Sequence, residues 1–304
     1  MSLKQKIKLV INGIIKRGYW FDNIAFQDCR KFYRYNTFNT KVVNLGSTSA
    51  VAAFNYEGLE IQSANWAMSR NPLSGDLAIL KNYCSFLAPR DSCVLIPLCP
   101  FSALAGGYKY LDDRYYPILY PTMIPNYSYI HDVQVRRRWN EPMWTYPIYA
   151  PFLDLYKFVF KNKEKKMSEK GMEEDAAIKI NSWCSEFSLK DLSSTFSLVN
   201  MDAISDAVDT LNQIISFCIE HNSKPVIVVP PVYDSLAKFF TPEVKNRLIY
   251  LLVDSIDDRS VKILDYLVNE EFSKNKSLFK DSFLLNRKGS KMFTRRILKD
   301  LCII

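Results

Sequence analysis

The chain has 304 residues, 48% of them apolar and 24% charged, enough for one large domain or two small ones around a substantial core; disorder, a collagen repeat and a small disulfide scaffold are excluded. Forty lysines and arginines against 32 aspartates and glutamates leave a net charge of +8, and the only histidines are His131 and His221. That scarcity argues against a multi-histidine metal centre, so no metal site is expected, and it restricts any mechanism that needs a base titrating near neutral pH.

Nearly all of the positive charge lies at the start. Residues 1–41 carry Lys4, Lys6, Lys8, Lys16, Arg17, Arg30, Lys31, Arg34 and Lys41 against Asp22 and Asp28, a net +7. Leu3, Ile7, Val10, Ile11 and Ile14 recur at helical spacing with lysines between them, which predicts a short basic amphipathic helix. Trp20, Phe21, Phe26, Phe32, Tyr33, Tyr35 and Phe38 follow it. Two readings fit: an in-plane anchor on an anionic membrane surface, or a helix packed on the domain with its basic face in water. No RNP, zinc-finger or helix-turn-helix signature accompanies the charge, so nucleic acid is not an expected partner.

Beyond the arm, Lys41–Leu45 reads as a strand, Gly46-Ser47-Thr48-Ser49 as a tight turn and Ala50–Phe54 as the start of a helix. Gly58–Asn65 suggests a second strand, Pro72–Leu87 a helix, and Ser92–Leu98 a buried third strand. Residues 101–160 differ in character, with 16 of the 42 aromatic residues, six prolines and the run Arg136-Arg137-Arg138-Trp139; they read as an insertion capping the domain. Residues 161–175 form a mixed charge run expected to be a solvated linker or exposed helix. Alternation then resumes: a helix capped by Asn200 with Ile204, Val208, Leu211, Ile215 and Cys218 on one face, a strand at 225–230, a helix begun by Thr241-Pro242, a strand at 261–264 and a last helix over about 288–301.

Five β runs separated by helices predict an α/β, three-layer flavodoxin-like fold with a five-stranded parallel sheet and an aromatic-rich insertion. The expected division is a basic arm over 1–41, an α/β domain from 42–102 and 199–304, and a cap with its linker over 103–198. The seven cysteines (Cys29, Cys84, Cys93, Cys99, Cys184, Cys218 and Cys302) are odd in number and never spaced C-x-x-C, as expected of thiols in a reducing compartment. No signal peptide or spanning helix is expected, so the chain reads as cytoplasmic, with peripheral attachment to the inner membrane face through the arm as the variant of that reading.

The loop after the first strand is the privileged place for a nucleophile or an anion in such a fold. Gly46-Ser47-Thr48-Ser49 matches neither G-x-G-x-x-G, nor a P-loop, nor G-x-S-x-G, and no cofactor is expected. Near the other end stands Asp281-Ser-Phe-Leu284-Leu-Asn286-Arg-Lys-Gly289. Together the two segments resemble the SGNH (GDSL-like) hydrolases and acyltransferases, with a G-[DS]-S loop early and D-x-x-H-L-N-x-x-G before the last helix. The resemblance spans most of the chain outside 103–198 and is strongest to the branch acting on bacterial surface polysaccharides. It implies O-acyl transfer or ester hydrolysis on a glycan or lipid-linked glycan, with Thr48 or Ser47 as nucleophile, Gly46, Ser49 and Asn65 around the oxyanion, and Asp281 in support. Ser102 follows the third strand and joins the implied substrate site. The family's histidine position holds Leu284, which makes a catalytically inactive glycan-binding or scaffolding protein the alternative. In the insertion, aromatic faces such as Trp139, with Arg136, Arg138 and His131, offer stacking and anion contacts for an acidic glycan.

Overall fold

Five short strands lie side by side in the computed structural model, which describes residues 1–34, 37–160 and 167–304. Tyr35 and the first six residues of the charged run, 161–166, fall outside them, as does the Arg34 side chain. The strands are β1 (Val42–Asn44), β2 (Ser63–Asn65), β3 (Ser92–Pro97), β4 (Ser223–Val229) and β5 (Lys262–Asp265). They pair in the order β2-β1-β3-β4-β5, every pair parallel, with Val43 opposite Ala64 and Val94, and Ile227 opposite Ile96 and Ile263. All six residues of β3 are buried, as a strand covered on both faces requires. Alternation divides the core: Val42, Cys93, Leu95, Val226 and Val228 meet Ala50, Ala53, Phe293, Ile297 and Leu298 of helices Thr48–Ala53 and Arg287–Asp300. Helices Leu73–Tyr83 and Leu198–Glu220 pack together on the sheet's other face. The protein thus has a three-layer α/β fold with the flavodoxin-like strand order, as its sequence predicts.

Several boundaries move. Of Gly58–Asn65 only Ser63–Asn65 pairs as strand. The long helix begins at Leu198 under a Ser197 cap, while Asn200 donates its amide to the Phe187 carbonyl. Thr241 caps a helix with Pro242 in its first turn, as expected, but the segment passes through a π-helical stretch at Asn246–Tyr250 before Leu251–Val253.

The chain divides into two compact units, one of Thr37–Lys109 with Lys165–Ile304, the other of Met1–Asn36 with Tyr110–Glu164. The basic arm is therefore no separate segment: it shares a unit with most of the aromatic insertion. Residues 103–109 and 167–198, expected in the cap, belong with the sheet. Gly106 packs so closely on helix Leu198–Glu220 that a Cβ there would lie 2.0 Å from the Ala203 carbonyl oxygen. Helix Glu169–Glu186, which absorbs the end of the charged run, buries Met172, Ala176, Ile180 and Cys184 at four-residue intervals. The other unit contains helices Leu3–Ile15, Tyr129–Asn140 and Ala150–Val159, and its buried residues include Phe21, Phe26, Phe32, Tyr115 and Tyr116.

Candidate functional site

In a sheet of this order, strand order reverses between β1 and β3, and the crevice at their carboxyl ends is where ligands bind. β1 delivers Gly46 into that crevice at φ +112°, and a Cβ there would meet Ala50 at 2.7 Å and Pro97 at 3.3 Å. Only glycine fits this turn. Its N–H donates to Asp76 Oδ1 at 2.7 Å, and its carbonyl accepts from the Met68 N–H at 3.0 Å and the Asn71 amide at 3.4 Å. Asn71 also donates to Asp76, and both are buried. Asp76 and Asn71 thus fix the loop from beneath.

Gly46, Ser47, Thr48 and Ser49 then turn into helix Thr48–Ala53. Ser47 and Ser49 line a cavity with Asn71, Asp76, Pro97, Cys99 and Ser102, so three of the predicted site positions, Ser47, Ser49 and Ser102, converge on one place. Its volume is about 50 Å³, room for a water molecule, whereas pockets for small organic ligands run to roughly 300 Å³ and more. Thr48 Oγ1 accepts a hydrogen bond from the Arg70 N–H at 3.0 Å. Ser102 closes its own turn, accepting from the Cys99 N–H at 2.9 Å and facing Cys99 Sγ at 3.3 Å. Burial pushes the Cys99 thiol up, away from thiolate chemistry.

Asn65 ends β2 with its polar atoms committed. Its amide donates to the carbonyls of Phe54 at 3.0 Å and of Ala50 and Val51 at 3.4 Å, while its oxygen accepts from the Asn44 amide and the Ala67 N–H, both at 3.0 Å. It closes the carboxyl end of helix Thr48–Ala53 and directs no N–H toward an oxyanion.

Asp281 Oδ1 accepts from the N–H groups of Phe283 and Leu284, both at 2.9 Å, and lies 3.4 Å from Lys179 Nζ. Lys179 also pairs with Asp175 at 2.6 Å, and Asp175 accepts from both the N–H and hydroxyl of Ser282. Helix Glu169–Glu186 thereby clamps the loops at this end of the sheet. Glu169 accepts from the Tyr233 hydroxyl after β4, and Trp183 packs against Phe101 after β3 and against Phe283. Burial works to raise the Asp175 pKa, but Lys179 and the Ser282 bonds outweigh it and hold the carboxyl below its usual range. A depressed folded-state pKa gives stability that is present above the ordinary carboxylate value, about 4, and lost as pH falls through the folded value. The thermal midpoint is therefore expected to fall as pH drops from about 5 into the acid range below the ordinary carboxylate value. In Lys179→Met it should be lower at neutral pH and decline less steeply in acid, as melts across that range will measure.

His221 does not serve this loop. His221 ends helix Leu198–Glu220, with Nδ1 2.8 Å from the Phe217 carbonyl oxygen and its ring stacked on Phe217. It precedes β4 by two residues and so lies at the amino end of a parallel sheet, opposite Gly46. His131 is taken up within its own unit, with Nε2 2.6 Å from Asp113 Oδ1, and Arg138 binds the same carboxylate. Arg136 pairs with Asp132 at 2.7 Å, and Trp139 packs among Phe21, Phe26 and Tyr33. The residues expected to meet a glycan there have partners inside the unit. Among the described residues no group of three or more His, Cys, Asp or Glu side chains converges to hold a metal ion.

No protein-family model matches the chain, and no curated protein matches it. Among solved structures, one described as "a putative platelet activating factor from Streptococcus pneumonia" covers 99% of this chain and 99% of its own at 10% identity, with a TM-score of 0.41.

Proposed function

We propose that this chain is an SGNH-like α/β protein of bacterial surface-polysaccharide biosynthesis that performs no acyl chemistry and acts as a glycan-binding or scaffolding component, in the cytoplasm and peripheral to the inner membrane face. The observation that carries the loss of catalysis is the environment of Asp281. In the SGNH pattern this aspartate orients a histidine three residues on; here that residue is Leu284, and the group beside Asp281 is Lys179. Leucine has no proton acceptor, and an ammonium donates without accepting. The small cavity and the hydrogen bond accepted by Thr48 support the same reading. Loss of the base in a hydrolytic triad removes several orders of magnitude in rate.

The test is turnover of p-nitrophenyl acetate and of an O-acetylated polysaccharide by the purified full chain. Hydrolysis is expected to stay at the buffer rate, with Thr48→Ala indistinguishable from wild type in rate and in circular dichroism. Turnover above background that a folded Thr48→Ala variant loses would restore the O-acyltransferase or esterase reading, with Thr48 as nucleophile. A titration with unmodified acidic and neutral polysaccharides tests the binding half of the proposal, which fails if none binds.

A further inference from the structure

Two helices of the unit formed by Met1–Asn36 and Tyr110–Glu164 are inverted relative to helices on the surface of a water-soluble domain. At about 100° per residue, Leu3, Ile7, Val10 and Ile14 of helix Leu3–Ile15 fall within one narrow arc. All four are more than half exposed. Lys8, Asn12 and Ile15 lie on the opposite arc, and it is there that the helix is held: Asn12 is buried and accepts from the Met143 N–H at 3.0 Å, while Lys8 pairs with Glu141 at 2.7 Å.

Helix Ala150–Val159 repeats the arrangement. Phe152, Leu155, Phe158 and Val159 share its outer arc and are 61–74% exposed. Asp154 turns inward and accepts from the Trp20 N–H at 2.7 Å and the Tyr146 hydroxyl at 2.6 Å. That carboxylate joins the two elements, since Gly18, just past the first helix, lies so near it that a Cβ would come within 2.2 Å of Asp154 Oδ2.

A helix that buries an asparagine, or turns a half-buried aspartate inward, and offers isoleucine and phenylalanine outward loses the free energy of apolar burial unless something covers that face. Charge identifies the cover. Residues 1–21 contain Lys4, Lys6, Lys8, Lys16 and Arg17 and no carboxylate, and Lys4 and Lys6 flank the apolar arc on its two sides, where long side chains reach lipid phosphates while their stems lie along the apolar layer. A second copy would bring like charges together at the same rims. Among the described residues no helix is long and apolar enough to cross a membrane. Helices of 13 and 10 residues are far short of the roughly 30 Å hydrocarbon layer but suited to lying in its interface.

We infer that this unit is an interfacial membrane anchor, in which helices Leu3–Ile15 and Ala150–Val159 insert their apolar arcs at the headgroup boundary of an anionic bilayer, with Lys4 and Lys6 at the phosphates. It extends the peripheral placement proposed above and is independent of the acyl-chemistry reading, which flotation does not probe. The experiment is flotation of the purified full chain with vesicles of equal parts phosphatidylcholine and phosphatidylglycerol, and with phosphatidylcholine alone. The chain is expected to float with the anionic vesicles and less with the neutral ones. Ile7→Glu/Ile14→Glu and Phe152→Glu/Phe158→Glu alter exposed side chains, so they should keep the wild-type circular dichroism while binding at least about tenfold more weakly. Lys4→Glu/Lys6→Glu should lose the preference for anionic vesicles. Wild-type protein that floats with neither vesicle, or apolar variants that float as well as wild type, overturns the inference. So does a stoichiometric dimer in solution that the same substitutions dissociate, which would assign these faces to a second copy.

Discussion

Asp76→Ala is expected to destabilise the sheet-bearing unit by about 3 kcal/mol, the scale of loss when a buried charged acceptor is removed and its donors are left unpaired. Asp76 is 2% exposed, and its Oδ1 takes the Gly46 N–H and the Asn71 amide. Gly46 cannot turn its N–H toward another partner, because it is wedged between Ala50 and Pro97 in a left-handed conformation. Asp76→Asn keeps an oxygen for Gly46 but sets one amide against another at Asn71, so its loss should be smaller, about 1–2 kcal/mol. A unit of this size shifts by roughly 2–4 °C per kcal/mol. The alanine variant should therefore melt about 6–12 °C below wild type, with the asparagine variant between. Calorimetry that found Asp76→Ala within a degree or two of wild type would show that the Gly46–Ser49 loop does not depend on this carboxylate.

The role of Asp76 was hidden in the sequence for a physical reason. A carboxylate in the first turn of a helix reads as a complement to the helix dipole, and nothing local reports that it is buried beneath a loop thirty residues away. Asp175 ends the charged run, and Lys179 stands four residues on, the spacing of an ordinary surface pair on one helix; their contacts with Asp281 and Ser282 join segments about a hundred residues apart. The strands themselves were far more legible, because burial on both faces of a parallel sheet writes itself as continuous runs such as Ser92–Pro97. Small polar residues at strand ends were ambiguous in the opposite direction. Asn65 and Ser102 have the chemistry to hold a ligand, and the same chemistry closes a helix end and a tight turn. The basic arm was legible as a helix but not in its orientation: hydrophobic periodicity shows that one face is apolar, and only the buried Asn12 shows that this face is turned outward.

Gly289→Ala should cost still more than Asp76→Ala, about 3–5 kcal/mol, since the clash is with backbone that has nowhere to yield. A Cβ at this position would lie 2.1 Å from the Leu278 carbonyl oxygen, 3.0 Å from its carbon and 2.9 Å from Leu285 Cδ2. The helix entry and the preceding turn form one hydrogen-bonded body: Asn286 Oδ1 accepts from the Lys288 and Gly289 N–H groups, its amide donates to the Ser277 and Phe279 carbonyls, and its N–H donates to Leu278. Relieving the clash means lifting helix Arg287–Asp300 away from that turn, which withdraws Phe293, Ile297 and Leu298, all fully buried, from the core. The matched control is Gly13→Ala, in the last turn of helix Leu3–Ile15, where a Cβ meets nothing within 4 Å and a helical alanine should gain up to about 0.5–1 kcal/mol. Thermal melts should therefore move in opposite directions for the two substitutions, and a Gly289→Ala midpoint equal to wild type would refute the packing argument. The same geometry bears on the proposed function. Asn286 and Gly289, two of the residues that make the Asp281–Gly289 segment resemble a hydrolase motif, answer to the entry and docking of the last helix, a demand that holds whether residue 284 is a histidine or, as here, a leucine.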